Sequence, residues 1–395
     1  MAMTIQTLGR LFHHLSALFL VAFLLTMLLP ISADAAGKGK YLVYIGTYTE
    51  HGSKGIYAYR FDSGTGESTP LGLAAESMQP SFLTVDASGH FLYAVNETES
   101  YEGQPTGAVS AFAIDSTIGK LTLLNQVSSR DAGPAHITLD RAGKYALVSN
   151  YTLGSVAVFP VLKDGRLGEV SAFVQHHGAG VDKERQGNAH AHAVAMSSDN
   201  RFALVADLGL DQIFSYPFDP AKGTLGQDPH ITKASPGSGP RHLVFSASGN
   251  LLYVIDELRS TVVTYAYDPA NGGLRELSSI STLPDGFSGP SAAAEIVLHP
   301  SGKFLYASNR GPDSITVFSI SPSEGKLTHV EFVPVNGKTP RNFAIDPTGS
   351  WLWAANQESN NIVLFRIDGK TGRLTPSGQV LQISSPACVT FVPLP

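Results

Sequence analysis

Two sets of positions in this 395-residue chain carry side chains that a bare structural repeat has no need of. One set stands five residues before a recurring tight turn: Ser81, Ala135, His192, Arg241, Ala294 and Arg341, with Ala387 in the matching C-terminal run. The other stands eight residues after the turn glycine: Glu97, Tyr151, Leu208, Glu257, Arg310 and Gln357, with Thr47 from the first unit. Both sets change type from unit to unit, whereas the residue just before the second set is Asn or Asp in six units: Asn96, Asn150, Asp207, Asp256, Asn309 and Asn356. Invariance among internal copies points to structure, and Asx side chains bond nearby backbone N–H groups at turns. Variation on one ring of positions is where function can sit. If both sets lie at one end of a central channel, His192, Arg241, Glu257, Arg310 and Arg341 converge there. Several like charges repel at that range unless an anion sits among them. The chemistry implied is recognition of an anionic small molecule beside groups able to move a proton.

The elements that position these residues follow from the repeats. PSFLTVDASGHFLYAVN, PAHITLDRAGKYALVSN and PRNFAIDPTGSWLWAAN are copies of one motif, with further copies ending at Asp207, Asp256 and Asn309. Their turn positions, Gly89, Gly143, Asn200, Gly249, Gly302 and Gly349, are spaced by 54, 57, 49, 53 and 47 residues. Each copy has four short β-branched or alternating runs separated by turn residues and no helical period. Four antiparallel strands repeating every ~50 residues read as a propeller blade. KYLVYIGTYT from Lys40 matches a second strand lacking its first, and Pro386–Val392 matches a first strand lacking its second. Pairing of the two ends completes a seventh blade and hides two sheet edges. The fold class expected is all-β, a seven-bladed β-propeller occupying residues 37–395 as one domain.

Composition agrees with that reading. Gly and Pro number 39 and 24, the residues of many turns, and 43% hydrophobic residues suffice for a large core. A formal charge of −6 without basic clusters argues against nucleic acid. The single cysteine, Cys388, excludes internal disulfides and cysteine-rich zinc sites. At the N-terminus, Arg10, the apolar run Leu15–Leu29 and Ala33-Asp34-Ala35 form the pattern of a cleaved secretory signal over residues 1–36. The expected location is periplasmic or secreted, with no stable membrane insertion after cleavage.

The longest polar insertion, residues 175–189, runs into His190-Ala191-His192 and reads as a lid over the mouth. Residues two apart share a strand face, so His190 and His192 with His176 or His177 could hold zinc. No further ligand recurs at fixed spacing, and no metal is expected. His136 and His242, offset by one from the first set, read as strand caps.

YIGTYT at Tyr44, RQGNAHAH at Arg185, GPRH at Gly239, SNRGPDSITVF at Ser308 and TPRNFAIDPTGSWLWAAN at Thr339 resemble the seven-bladed lactonase family. That family includes propeller-type 6-phosphogluconolactonases and fungal carboxymuconate-lactonizing enzymes. The resemblance spans Tyr41 to Val392 and implies a catalytic group of His192, Arg241, Glu257 and Arg310. It implies substrate contacts for Arg341, and Arg185, His190 and Gln357 join these as substrate-binding residues. Hydrolysis of a sugar-acid lactone would use Glu257 or His192 as general base, Arg241 or Arg310 at the oxyanion, and Arg341 at a phosphate or carboxylate. No cofactor is implied, and the absence of G-x-S-x-G argues against an acyl-enzyme. A non-catalytic binding propeller, and a cycloisomerase forming a lactone from an unsaturated diacid, use the same residues. The export signal departs from the cytosolic sugar-phosphate lactonases of this kind.

Overall fold

The computed structural model describes residues 39–394. The signal reading of residues 1–36 lies outside them. The described residues contain no helix, and none is therefore long and apolar enough to cross a membrane.

Seven antiparallel sheets form the ring. Blade 1 consists of Pro386–Pro393, Lys40–Thr47, Gly55–Asp62 and Glu67–Glu76, from the inside outward. Blades 2 to 7 begin with inner strands Leu83–Val85, Pro134–Leu139, Ala191–Met196, Pro240–Phe245, Ala292–Leu298 and Pro340–Ile345. The outer edge of blade 4 is broken into Thr224–Leu225 and His230–Lys233, both paired to Gln212–Asp219.

The turn glycines behave as their spacing predicts. Gly89, Gly143, Gly249, Gly302 and Gly349 have φ of 65–72°, and Asn200, which replaces glycine in blade 4, has φ 60°. That region penalises most side chains but tolerates Asn. Second strands such as Phe202–Asp207 and Trp351–Asn356 are buried throughout, which is why they read as near-continuous apolar runs. Outermost strands such as Leu374–Gln382 alternate between half-buried and exposed.

The apolar core is divided into seven clusters, each lying between two neighbouring blades. At the seam where the chain ends meet, Phe61 packs edge-on against Trp351 and Trp353, and Phe391 edge-on against Trp353, at 5.2–5.8 Å between ring centres. The C-terminal strand is innermost and pairs with Lys40–Thr47 from Tyr41↔Pro393 to Thr47↔Pro386. The closure expected from the half-motifs is therefore present.

The Asx positions differ in one respect from expectation. The four asparagines donate to backbone carbonyls rather than accept from backbone N–H groups: Asn96 to Met78, Asn150 to Ser129, Asn309 to Thr282 and Asn356 to Val335. Each carbonyl lies just past the outer strand of the preceding blade, so the amide ties one blade to the next. Only Asp207 caps as expected, accepting from the N–H groups of His190 and Leu210.

Candidate active site at the channel mouth

A backbone irregularity puts the candidate side chains in place. Pairing of inner to second strand skips a residue between Pro134 and His136, Ala191 and Ala193, Pro240 and His242, and Pro340 and Asn342. In blade 6, Ala294 and Glu295 share one gap, and in blade 1 the skipped residue is Ala387. A β-bulge frees the extra residue from the ladder and re-aims its side chain. Six of the seven first-set positions are thus bulge residues, Ala135, His192, Arg241, Ala294, Arg341 and Ala387, while Ser81 precedes the short inner strand Leu83–Val85.

Two charge clusters form over them. Glu257 is 3% exposed and receives three guanidiniums. Arg185 Nη2 approaches Oε1 at 2.5 Å, Arg310 Nη2 approaches Oε2 at 2.7 Å, and Arg241 Nε stands 3.0 Å from Oε2. The last is a charge contact only, because the Nε–H does not point at the oxygen and has no hydrogen-bond partner. Arg241 Nη1 donates to the Ala294 carbonyl, and Arg310 donates to the carbonyls of Ala292 and Ala293. In the second cluster Arg341 lies over the Tyr48 ring at 5.2 Å and 3.7 Å from Glu97, whose other oxygen accepts from the Tyr48 hydroxyl at 2.7 Å.

The balance is cationic. Burial opposes charge on Glu257, yet Arg310, Arg241 and Arg185 outweigh it and hold its pKa down at about 2. Arg241 is pushed down to about 9, by burial first and then by Arg310 and Arg341. A guanidinium does not deprotonate in proteins, so Arg241 stays charged, at a cost set first by its burial and then by the neighbouring cations. His192, 4% exposed, is driven well below 6.5 by burial, then by Arg241, His242, Arg341 and Arg310. It is a neutral imidazole with Nδ1 buried and unpartnered.

A stability consequence follows. Unfolded, His192 takes up a proton near pH 6.5; folded, only well below that, so acidification through pH 6.5 favours the unfolded state. Between pH 7.5 and 5.5 the wild type is expected to lose about 1.4 kcal/mol more than His192→Gln. Denaturant titration at both pH values checks this, and equal losses would show that His192 is not held neutral.

The remaining residues sit as follows. His190 stacks on Tyr151 at 4.4 Å and bonds its carbonyl through Nδ1, next to His192. Arg185, from the polar insertion, reaches Glu257. The insertion is pinned by Gln186, which donates to the Leu208 carbonyl and Asp211. Gln357 is half-buried, and its backbone N–H donates to the Thr339 carbonyl. His176 bonds Asp207 at 2.6 Å, and His177 is exposed. Among the described residues, no group of three or more His, Cys, Asp or Glu is arranged to hold a metal ion.

Two histidines depart from the capping role. His242 Nδ1 bonds Glu295 Oε1 across the blade boundary at 2.8 Å. His136 packs on Phe82 at 4.3 Å with Nδ1 unpartnered. Glu295 and Tyr48 join the candidate site although the repeats did not single them out. The signal for Glu295 was available, as the lone charge in the apolar run AAAEIVL. The two-residue bulge, which strict alternation cannot show, hid its direction.

Comparison with known proteins agrees with the seven-bladed ring. Residues 42–391 match the family model described as lactonase, 7-bladed beta-propeller. A 6-phosphogluconolactonase of Bacillus subtilis is 36% identical over 307 residues, covering 78% of this chain and 85% of that protein. One of Formosa agariphila is 39% identical over 312 residues, covering 77% and 86%. The structure of the periplasmic gluconolactonase of Pseudomonas aeruginosa superposes with a TM-score of 0.85 at 36% identity, over 90% of this chain and 100% of that one. The chain under study belongs to the seven-bladed β-propeller lactonase family.

Proposed function

We propose that the protein hydrolyses a sugar-acid lactone, in the manner of a 6-phosphogluconolactonase, at the cationic mouth of its channel. The observation that carries this is the charge imbalance there: Arg185, Arg241, Arg310 and Arg341 face Glu257 and Glu97, and three of the four crowd one buried carboxylate. An anionic substrate completes the balance, and the same guanidiniums oppose the charge that grows on the carbonyl oxygen during attack. Arg241 and Arg310 take that role, and Arg341, on the far side, holds the phosphate or carboxylate. Glu257 serves as the anion that aligns the guanidiniums. A carboxylate held at about 2 with three cationic partners is a poor proton acceptor. His192 presents a neutral ring to the same space, hydrogen-bonding the substrate, and His190, Arg185 and Gln357 frame it.

The test is hydrolysis of δ-lactones of phosphorylated and free aldonic acids by purified residues 37–395. Turnover above the spontaneous rate is expected, and its absence on both classes would refute the reading. Arg241→Lys is expected to cost roughly 10²-fold in kcat/KM with little change in Tm, since an ammonium cannot reproduce the planar fork. Lost stability with retained activity would make Arg241 a brace instead.

Export to the periplasm belongs to the same proposal. It is supported by the signal-like N-terminus and by the location of the Pseudomonas relative. N-terminal sequencing of the exported protein should return a start near Ala36, and Met1 would overturn cleavage.

A further inference from the structure

Below the mouth the channel narrows to a neck lined by Ser81, Phe82, Arg241, His242, Glu295 and Arg341, among others. It offers about 10 Å³ to the centre of a water-sized molecule, the room that one water needs. Three polar atoms of its lining residues are buried without hydrogen-bond partners: Ser81 Oγ, Arg241 Nε and His242 Nε2. Their residues are 3%, 2% and 5% exposed. Leaving three such groups unsatisfied is costly, and a water in this cavity is the partner that the lining lacks.

Behind His242 stands a fixed carboxylate. Glu295 Oε1 accepts from His242 Nδ1 at 2.8 Å and from the Ile296 N–H at 3.0 Å. Its Oε2 accepts from Asn342 Nδ2 at 2.5 Å, and Asn342 Oδ1 accepts from the Val389 N–H at 3.0 Å. Burial opposes charge on Glu295, but His242 and Arg241 hold its pKa below the usual carboxylate range. An ionised carboxylate on Nδ1 sets the tautomer, so Nε2 carries the lone pair.

We propose that the neck holds the hydrolytic water and that His242, backed by Glu295, is the general base that activates it. This rests on the lactonase reading above. Arg241 Nε–H and the Ser81 hydroxyl donate to the water oxygen, and the water donates to His242 Nε2. In the reaction that O–H proton passes to Nε2 as the oxygen forms a bond to the lactone carbonyl carbon, whose π electrons move to the carbonyl oxygen. On collapse the ring C–O bond breaks, and the leaving oxygen takes the proton back from His242. Water and lactone are consumed and one hydroxy acid is formed. Arg241 Nε, 3.0 Å from Glu257 Oε2 with its N–H turned away from that oxygen, then stands between the carboxylate and the water.

The groups facing His242 come from every neighbouring blade. They are Glu295, Arg241, Arg341, His136 and His192, with Phe82 closing one side; Cys388, from blade 1, lies near Glu295. Burial first, with Arg241 and Arg341, holds the His242 pKa below its usual value, and Glu295 is the anion among them that opposes this.

Steady-state kinetics of the full mature protein over about pH 5 to 9 test the proposal, with Tm of each variant as the folding control. His242→Gln should lose about 10²-fold or more in kcat with KM little changed. Ser81→Ala, a small change that leaves the fold intact, should lose about tenfold in kcat at unchanged KM, as one hydrogen bond to the water goes. Glu295→Gln keeps the shape, removes the charge and leaves only one acceptor for His242 and Asn342, so the acid limb of log kcat should move to lower pH. Wild-type kcat in His242→Gln or Ser81→Ala, or an unmoved acid limb in Glu295→Gln, would overturn the base while leaving the lactonase reading standing. A wild type inert on every lactone would sink the lactonase reading itself and this role with it.

Discussion

Glu257→Gln is expected to lower kcat/KM by ~10²-fold or more and to lower Tm by several degrees, with much of the lost Tm restored by added phosphate. The carboxylate is 3% exposed and neutralises Arg185, Arg241 and Arg310 at 2.5–3.0 Å. Removing one partner of a buried ion pair leaves the others uncompensated, a loss of about 3–5 kcal/mol. Here three cations are left facing one another, with Arg341 nearby. An anion from solution fills the same role in part, because it binds the folded state alone. Thermal melts in the presence and absence of phosphate, alongside kinetics, read both effects. Unchanged Tm would mean that the cluster is screened by water. Unchanged activity would move the active site elsewhere.

Deletion of residues 386–395 is expected to abolish cooperative folding altogether. The segment is the inner strand of blade 1, bonded along Lys40–Thr47, and it buries Ala387, Cys388, Val389 and Val392. Without it, Lys40–Thr47 becomes an open edge facing the channel, a template for association. The seam between blades 7 and 1 also loses Phe391, which packs on Phe61 and Trp353. A ring cannot shed one inner strand gradually, since every blade is held by both neighbours. The truncated chain should aggregate or lack a cooperative melt by circular dichroism. A soluble product with wild-type Tm would refute closure as a source of stability.

How far the sequence alone reaches depends on the range of the forces involved. The blade count, the hairpin glycines and the meeting of the two ends are local-pattern facts. Alternation, β-branched runs and positive-φ turns are dictated within a few residues, and ~50-residue copies repeat them. The variable ring positions were legible for the same reason: seven internal copies separate what a blade needs from what it does not. The residues His192, Arg241 and Arg341 stood out because Ala or Ser replaces them in other blades.

Tertiary structure alone decided which charges meet, and in what state. Arg185 and Glu257 are 72 residues apart, and His242 and Glu295 53 apart, so no local pattern couples them. Glu257 read as a possible base from its type. Three guanidiniums around it hold its pKa at about 2 against burial, a Coulomb effect that exists only once the blades close. His242 read as a strand cap, because strict alternation pointed it away from the ring of bulge residues. The bulge after Pro240 and the two-residue bulge at Ala294-Glu295 break that alternation and turn both side chains toward each other. A bulge has no reliable sequence signature, since it is a pairing choice between two strands. Side-chain direction at this site was therefore settled by the sheet, and protonation by the charges the ring gathers around it.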